Sequence, residues 1–127
     1  SLLLMLIASI TFAESAIASL NKVFIKNCYD GDTCTTFQGE KIRLACIDTP
    51  ELKGKNANPI PAKSARNFLN NLVAYQEVSI KRITNDRFGR TVAELFKDEE
   101  NIQKLIVKDG FGKIHKRYAY QCDWIKK

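Results

Sequence analysis

Three short stretches contain the residues of this chain that are best suited to chemistry. They are DGDT at residues 30–33, Arg43 followed by DTPE at residues 48–51, and DRFGR at residues 86–90. Carboxylate oxygens are the ligands that Ca²⁺ and Mg²⁺ prefer, and a planar guanidinium can bind two phosphate oxygens at once. A cation, a carboxylate and two arginines are the groups needed to hydrolyse a phosphodiester. The three stretches together therefore predict metal-dependent cleavage of such a bond.

The order and spacing of these motifs resemble the staphylococcal nuclease (thermonuclease) family, from about Lys22 to about Tyr120. DGDT alone is a weak signal, because acidic turns containing glycine are common. The later motifs make the pattern specific. The resemblance implies an OB-type Greek-key barrel and a Ca²⁺-dependent endonuclease that cuts DNA and RNA to leave 3′-phosphates. The grooves of OB folds suit single strands.

By the same resemblance, Asp32 and Asp48 would bind Ca²⁺ through their side chains, and Thr49 through its backbone carbonyl. Asp30 would orient the turn from behind these ligands. Taken alone, the first motif is an ordinary hairpin turn, where Asp and Gly are favoured anyway. A second acidic turn beside an arginine favours the metal site.

Catalysis would fall to Glu51, Arg43 and Arg90. We expect Glu51 to hold or deprotonate the attacking water, while the two guanidinium groups bind the phosphate and stabilise its developing charge. His115 is the only histidine and lies far along the chain, which excludes enzymes built on a histidine pair and disfavours a histidine base. Taken one at a time, the two arginines could be surface cations and the glutamate a solvated residue.

The position of Arg43 imposes a geometric condition. Arg43 and Asp48 are five residues apart. On a straight strand they would lie about 16 Å apart and on opposite faces. The strand must therefore coil or break before Asp48.

Substrate contacts are expected from residues that depart from the family pattern. The family usually has Lys-Tyr before the Gly-Arg, and a tyrosine after the second helix, where this chain has Arg87-Phe88 and Lys116. Arg87 can still meet a phosphate, and Phe88 can stack on a base. Tyr118 lies nearby, and the cations around Lys116 form either a basic wall or a solvated surface.

Four cysteines in a chain with an export-like N-terminus suggest two disulfides. Cys28 and Cys34 flank residues 29–33 symmetrically and would face each other if that segment is a hairpin turn. That pairing would leave Cys46 and Cys122, although Cys46 could instead be a small core residue. Zinc is disfavoured, because the chain has one histidine and no C-x₂-C pair.

Residues 1–18 resemble a signal peptide. They are apolar or small apart from Glu14, and A-I-A at 16–18 fits a cleavage site that would leave Ser19 first. The apolar run is short for a membrane span, which needs about 20 residues. We therefore expect a secreted or periplasmic monomer with no stable membrane association after cleavage. An uncleaved anchor or a buried first helix are the alternatives.

The remaining residues, 19–127, fit one α+β domain. A net charge of +6 and a pI near 9.2 favour an anionic partner such as nucleic acid, although many secreted proteins are basic without one. We predict a five-stranded barrel and two helices, with strands at 21–28, 34–37, 41–47, 76–82 and 90–96 and helices at 61–73 and from Asn101 to Gly110.

The family usually ends with a longer C-terminal helix, and residues 118–127 could form only its beginning. The sequence thus predicts a domain whose C-terminal helix is truncated. Two rival interpretations remain: a catalytically silent OB-fold module that binds nucleic acid, and a basic domain tethered to a membrane by an uncleaved N-terminus, with lipid or protein as its partner.

Overall fold

The computed structural model describes residue 17 and residues 19–126. The predicted signal peptide, residues 1–18, therefore lies outside the described residues except for residue 17. The elements are β1 (Asn21–Asp30), β2 (Thr33–Thr36), β3 (Lys41–Leu44), β4 (Ile47–Asp48), α1 (Pro59–Val73), β5 (Glu77–Asn85), β6 (Thr91–Lys97), β7 (Glu100–Asn101), α2 (Ile102–Lys108), β8 (Lys113–Ile114) and a 3₁₀ helix (Lys116–Gln121).

Five strands close into a barrel, which confirms the predicted OB-type α+β fold. Their order is β3-β2-β1-β5-β6, and β3 then pairs with β6 to close the ring. The closing pair is parallel, with Arg43 opposite Val92, whereas the other neighbours in the ring are antiparallel. The short strands β4 and β8 pair separately, beside the barrel.

The barrel interior is filled by aliphatic side chains that alternate along the strands. Ile25, Ile42 and Leu95 are fully buried there. Helix α1 covers the core with a face whose members recur every three or four residues; these are Ala62, Ala65, Leu69 and Val73. The helix starts two residues before the predicted position, because a proline fits its first turn without losing a hydrogen bond.

The strand predicted at 41–47 is interrupted, which satisfies the geometric condition on Arg43. β3 ends at Leu44, and Cys46 adopts a left-handed conformation with φ of 69°. β4 then begins at Ile47. The resulting kink changes the direction of the chain just before Asp48.

Both disulfides form, Cys28–Cys34 and Cys46–Cys122. Cys28 and Cys34 lie directly opposite each other in the β1–β2 ladder, so the bridge spans the hairpin behind its turn. Asn70 of α1 adds a second brace: its Oδ1 accepts the N–H of Cys28 at 2.8 Å and its Nδ2 donates to the same residue's carbonyl at 2.9 Å.

The C-terminal segment differs from the expected start of an α-helix. It forms the 3₁₀ helix and then becomes extended at Cys122, whose disulfide ties it to the kink at Cys46. Trp124 packs between the barrel core and a small second cluster around that disulfide. Among the described residues, no helix is long and apolar enough to cross a membrane.

Candidate active site

The first acidic motif forms a tight turn that leaves no room for side chains at its tip. Asp30 Oδ1 accepts the backbone N–H of Asp32 at 3.1 Å, which holds the turn closed. A Cβ atom on Gly31 would lie 2.7 Å from Cβ of Ala65 and 2.8 Å from Oγ1 of Thr49. Only glycine permits this approach. The turn is thus packed against α1 and against the residue that follows β4.

The Asp32 carboxylate is buried and fully engaged. Its side chain is 9% exposed. Oδ2 accepts the backbone N–H of Thr49 at 3.1 Å and lies 3.4 Å from Nη1 of Arg43. Oδ1 accepts the hydroxyl of Thr33 at 3.2 Å. These contacts give a buried carboxylate the partners without which its burial would be unfavourable.

Arg43 joins the two acidic turns. Its Nη2 donates to Oδ1 of Asp48 at 3.2 Å, while Nη1 donates to the carbonyl of Leu44 at 2.8 Å and faces Asp32. One guanidinium therefore balances both predicted ligand carboxylates. The interruption of the strand between Leu44 and Ile47 makes this contact possible.

Asp30 lies next to this site, in surroundings that disfavour its ionised form. Burial, together with the nearby charge of Asp32, raises the pKa of Asp30 to about 6. The hydrogen bond from the Asp32 N–H acts in the opposite direction but is outweighed. Its carboxylate supports the turn through the hydrogen bond to the N–H of Asp32, and its predicted role behind the metal ligands stays a prediction.

The third motif forms a turn held by Asp86. Its Oδ1 accepts the backbone N–H groups of Phe88 and Arg90, both at 2.9 Å, and its Oδ2 accepts Nε of Arg90 at 2.6 Å. Burial acts to raise the pKa of Asp86, but the hydrogen bonds from Arg90 and Phe88 outweigh it and hold the pKa below its usual value. The hydrogen bond from Nε to Asp86 thereby fixes the orientation of the Arg90 guanidinium.

Phe88 stands at the tip of this turn between two cations. Its side chain is 67% exposed. The guanidinium carbons of Arg87 and Arg90 lie 4.8 and 5.5 Å from the ring centroid. Such contacts are favourable electrostatically, and they leave much of the ring open to another planar group.

A cleft of about 610 Å³ lies between the arginine turn and the 3₁₀ helix. Positive charge dominates its walls, so it suits an anionic ligand with planar groups. Its charged and aromatic lining consists of Arg43, Asp86, Arg87, Phe88, Arg90, His115, Arg117 and Tyr118.

The structure brings most of the predicted residues together, with two exceptions. Lys116 is exposed and does not line the cleft, where the neighbouring Arg117 lies instead. Glu51 is exposed, and within the described part of the chain its side chain forms no hydrogen bond or ion pair. Its backbone carbonyl accepts the N–H of Asn58 at 2.9 Å, which fixes the loop after the second acidic turn.

His115 is a site residue that its distance along the sequence conceals. Its Nε2 lies 3.9 Å from Oδ2 of Asp48, and its ring contacts Tyr118 at 4.9 Å. Pairing of β4 with β8 brings it there, and its N–H donates to the carbonyl of Cys46 at 2.8 Å. Both strands have only two residues, so hydrophobic alternation could not reveal the pairing.

The donor set fits a hard divalent cation. Asp32 and Asp48 converge on one guanidinium, and Thr49 adjoins both. The hydroxyl of Thr49 is buried with no hydrogen-bond partner among the described residues. No three histidine, cysteine or acidic side chains converge within residues 17 and 19–126, so a cation here would keep several water ligands.

Comparison with known proteins places the chain in a family. Residues 41–126 match the model of the Staphylococcal nuclease homologues. The chain is 32% identical over 95 residues to an uncharacterized endonuclease of Haemophilus influenzae (72% of this chain, 51% of the relative) and to the thermonuclease of Staphylococcus intermedius (70% and 56%). It is 28% identical over 109 residues to endonuclease YncB of Bacillus subtilis (80% and 51%). The chain spans about half the length of these curated relatives. Because the family model covers most of it, the chain belongs to the family of Staphylococcal nuclease homologues.

Proposed function

We propose that this chain is a metal-dependent endonuclease that hydrolyses phosphodiester bonds in nucleic acid. One observation carries the proposal: Arg43 contacts both Asp32 and Asp48 and also lines the same cleft as Arg90. This arrangement supports a cation site beside two phosphate-binding groups. The names of the relatives, endonuclease and thermonuclease, support the same chemistry.

In this proposal Arg43 and Arg90 hold the scissile phosphate from two sides of the cleft. Each guanidinium can donate two parallel hydrogen bonds to phosphate oxygens. Those bonds strengthen as negative charge builds on the oxygens in the transition state. Asp86 fixes one edge of Arg90, so the group is oriented before substrate arrives.

The proposed ion is Ca²⁺, held by the carboxylates of Asp32 and Asp48 and the carbonyl of Thr49. A bound cation would polarise the phosphate and acidify a water molecule. Without a cation, Arg43 compensates the charge of both carboxylates. A cation held by them would take over that role and free the Arg43 guanidinium to bind phosphate. Glu51 would hold or deprotonate the attacking water, and its exposed position leaves it open to solvent.

The finer assignments are part of the same proposal. We infer cleavage of DNA and RNA to 3′-phosphates, with a preference for single strands, because exposed Phe88 and the nearby Tyr118 can stack only on unpaired bases. We further infer a secreted or periplasmic monomer that begins at Ser19. A protein N-terminus at Ser19 after expression in a bacterial host would test the export step.

The test of function is cleavage of single-stranded DNA with Ca²⁺ and with a chelator. Glu51→Gln is the test variant and Glu100→Gln, an exposed glutamate of β7, is its control. We expect cleavage only with Ca²⁺, a fall of about 10²-fold or more in Glu51→Gln, and no change in the control. Folded protein that binds the strand without cutting would instead identify a silent OB-fold module.

A further inference from the structure

Three exposed aromatic side chains form a cluster outside the cleft. Phe24 of β1, Phe37 after β2 and Tyr75 after α1 make up this aromatic patch. The ring centroids of Phe24 and Phe37 are 5.1 Å apart, and those of Phe37 and Tyr75 are 5.8 Å apart. The three residues are 47%, 51% and 67% exposed. Clusters of exposed aromatic rings mark interaction sites more often than isolated ones do.

Tyr75 adopts a backbone conformation that is unfavourable for a tyrosine. Its φ is 58°, in the left-handed region, at the position that follows the end of α1. Glycine or asparagine normally occupies that position, because other residues destabilise it. A ring that is two-thirds exposed gains little from burial, so packing alone does not explain the tyrosine. An unfavourable conformation retained at an exposed site is a sign of function.

Lysines accompany the patch on the outer face of β1. Exposed Lys22 and Lys26 lie on either side of Phe24 along the strand. Two carboxylates line the adjoining groove of about 500 Å³, Glu40 and Glu77. The guanidinium of Arg82 pairs with both oxygens of Glu40, at 2.9 and 2.7 Å.

Among the described residues that line that groove, Glu77 is therefore the one acid without an ion pair, and it lies opposite Phe24 in the ladder. Apart from it, the rim of the patch presents positive charge and flat apolar rings.

The patch is separated from the cleft. None of its three rings lines the cleft. The groove beside the patch and the cleft have no lining residue in common. A ligand of the patch therefore need not occupy the candidate active site.

We propose that the aromatic patch binds unpaired bases of single-stranded nucleic acid, with Lys22 and Lys26 contacting phosphates. Flat rings stack on any base, and lysines neutralise the backbone without reading sequence. A strand long enough to reach both surfaces would bind more tightly than one that fills the cleft alone. The proposed function supplies the class of partner, but binding at the patch requires no cleavage.

The experiment measures the affinity of the 127-residue chain for labelled single-stranded DNA of about 16 and about 4 nucleotides, with a chelator present. Tyr75→Gly removes one ring and relieves the left-handed backbone. It should weaken binding of the long strand about fivefold or more, leave the short strand unchanged, and keep or raise Tm. Loss of affinity with an unchanged or higher Tm cannot come from unfolding.

Two further variants define the chemistry of the patch. Phe37→Leu keeps the apolar area without the flat face, so it should also weaken the long strand. Glu77→Gln removes the uncompensated negative charge and should raise the affinity for the long strand. Full affinity in both Tyr75→Gly and Phe37→Leu would overturn the proposal. Full affinity in Phe37→Leu alone would do so as well, and would indicate an apolar contact with protein or lipid.

The experiments can refute the proposed nuclease activity and the proposed binding at the patch independently. Binding that depends on the patch in a protein that never cuts would refute the nuclease and leave the patch. Normal cutting with no effect of the patch variants on the long strand would refute the patch alone.

Discussion

The acidic turn and the arginine turn of the candidate active site are built in different ways. The acidic turn at residues 30–33 is braced by the Cys28–Cys34 disulfide, by Asn70 and by a glycine that admits no side chain. The arginine turn at residues 86–90 is held only by hydrogen bonds within itself, to the carboxylate of Asp86 and between its backbone groups, among those the structure describes, and it exposes Phe88 at its tip. The acidic turn is largely buried and is supported from several elements, whereas the arginine turn is more exposed and is supported from within.

Under the proposed function, the difference follows from the task assigned to each turn. Cation ligands must be fixed close together although their charges repel, so they need support from several directions. Groups that contact a long anionic chain have to reach it from the surface. The acidic turn therefore carries a cost in stability that the arginine turn avoids, and that contrast can be tested.

Loss of either arginine should have the largest effect on activity. In Arg43→Lys and Arg90→Lys the charge is kept but the two-pronged donor is lost, so kcat should fall by about 10² to 10³ in each. Arg43→Lys should also lower stability, by about 1–3 kcal/mol and by more than Arg90→Lys, because it leaves the buried Asp32 under-compensated, whereas Asp86 keeps its backbone hydrogen bonds. Single-strand cleavage and thermal unfolding measure the two effects.

Arg66→Lys on α1 is the matched control, and we expect it to change neither property. Equal losses of stability in the two arginine variants would contradict the contrast between the turns.

Removal of the Cys28–Cys34 bridge should have an intermediate effect. The double variant Cys28→Ala/Cys34→Ala opens a short loop, with a sequence separation of 6. Chain entropy then predicts a loss of about 2 kcal/mol. Because the bridge lies behind the proposed ligands, Ca²⁺ affinity should fall as well. Urea unfolding and Ca²⁺ titration would detect this, with Thr35→Ala as a control on the same hairpin. Unchanged Ca²⁺ affinity would show that the brace serves the barrel and not the site.

The smallest effect should be in the pH dependence of stability, which has opposite signs in the two turns. The pKa of Asp30 is raised to about 6 in the fold. Its ionised form therefore destabilises the protein above that pH, and the penalty disappears as pH falls toward the ordinary 3.8. The pKa of Asp86 is lowered, so its ionised form contributes stability above 3.8 that is lost as pH falls through its folded value.

The substitutions that report on this are Asp30→Asn and Asp86→Asn, compared by urea unfolding with a chelator present. Near pH 7 the first should stabilise the protein and the second should destabilise it. The gain in Asp30→Asn should vanish near pH 4. Effects of the same sign in both variants would show that the turns do not differ electrostatically.

Much of the site could be predicted from short-range signals. The symmetry of Cys28 and Cys34 about a glycine turn predicts their bridge, because opposite positions of a hairpin lie at disulfide distance. The motif spacing also predicts that Arg43 must meet Asp48, and hence that the strand cannot run straight. It does not predict where the chain bends, since Cys46 is not a residue that favours a left-handed conformation.

Long-range pairings set the limit of such prediction. His115 reaches Asp48 through two strands of two residues each, which carry too few residues for a periodic pattern. The 3₁₀ helix replaces the expected start of an α-helix where the Cys46–Cys122 bridge ties the segment to the barrel. The choice of Arg117 over Lys116 as the residue that lines the cleft depends on that local geometry.

The parallel seam of the barrel has a consequence for how the molecule folds. β3 and β6 are distant in the chain, and their pairing sets Arg43 beside Val92, two residues after Arg90. Closing so long a loop costs more chain entropy than forming the neighbouring hairpins, so we expect the seam to close late. Until it closes, the two arginines have no common pocket. During refolding, recovery of the cleft should therefore lag behind formation of β-structure, and a nascent or half-folded chain should lack the proposed activity.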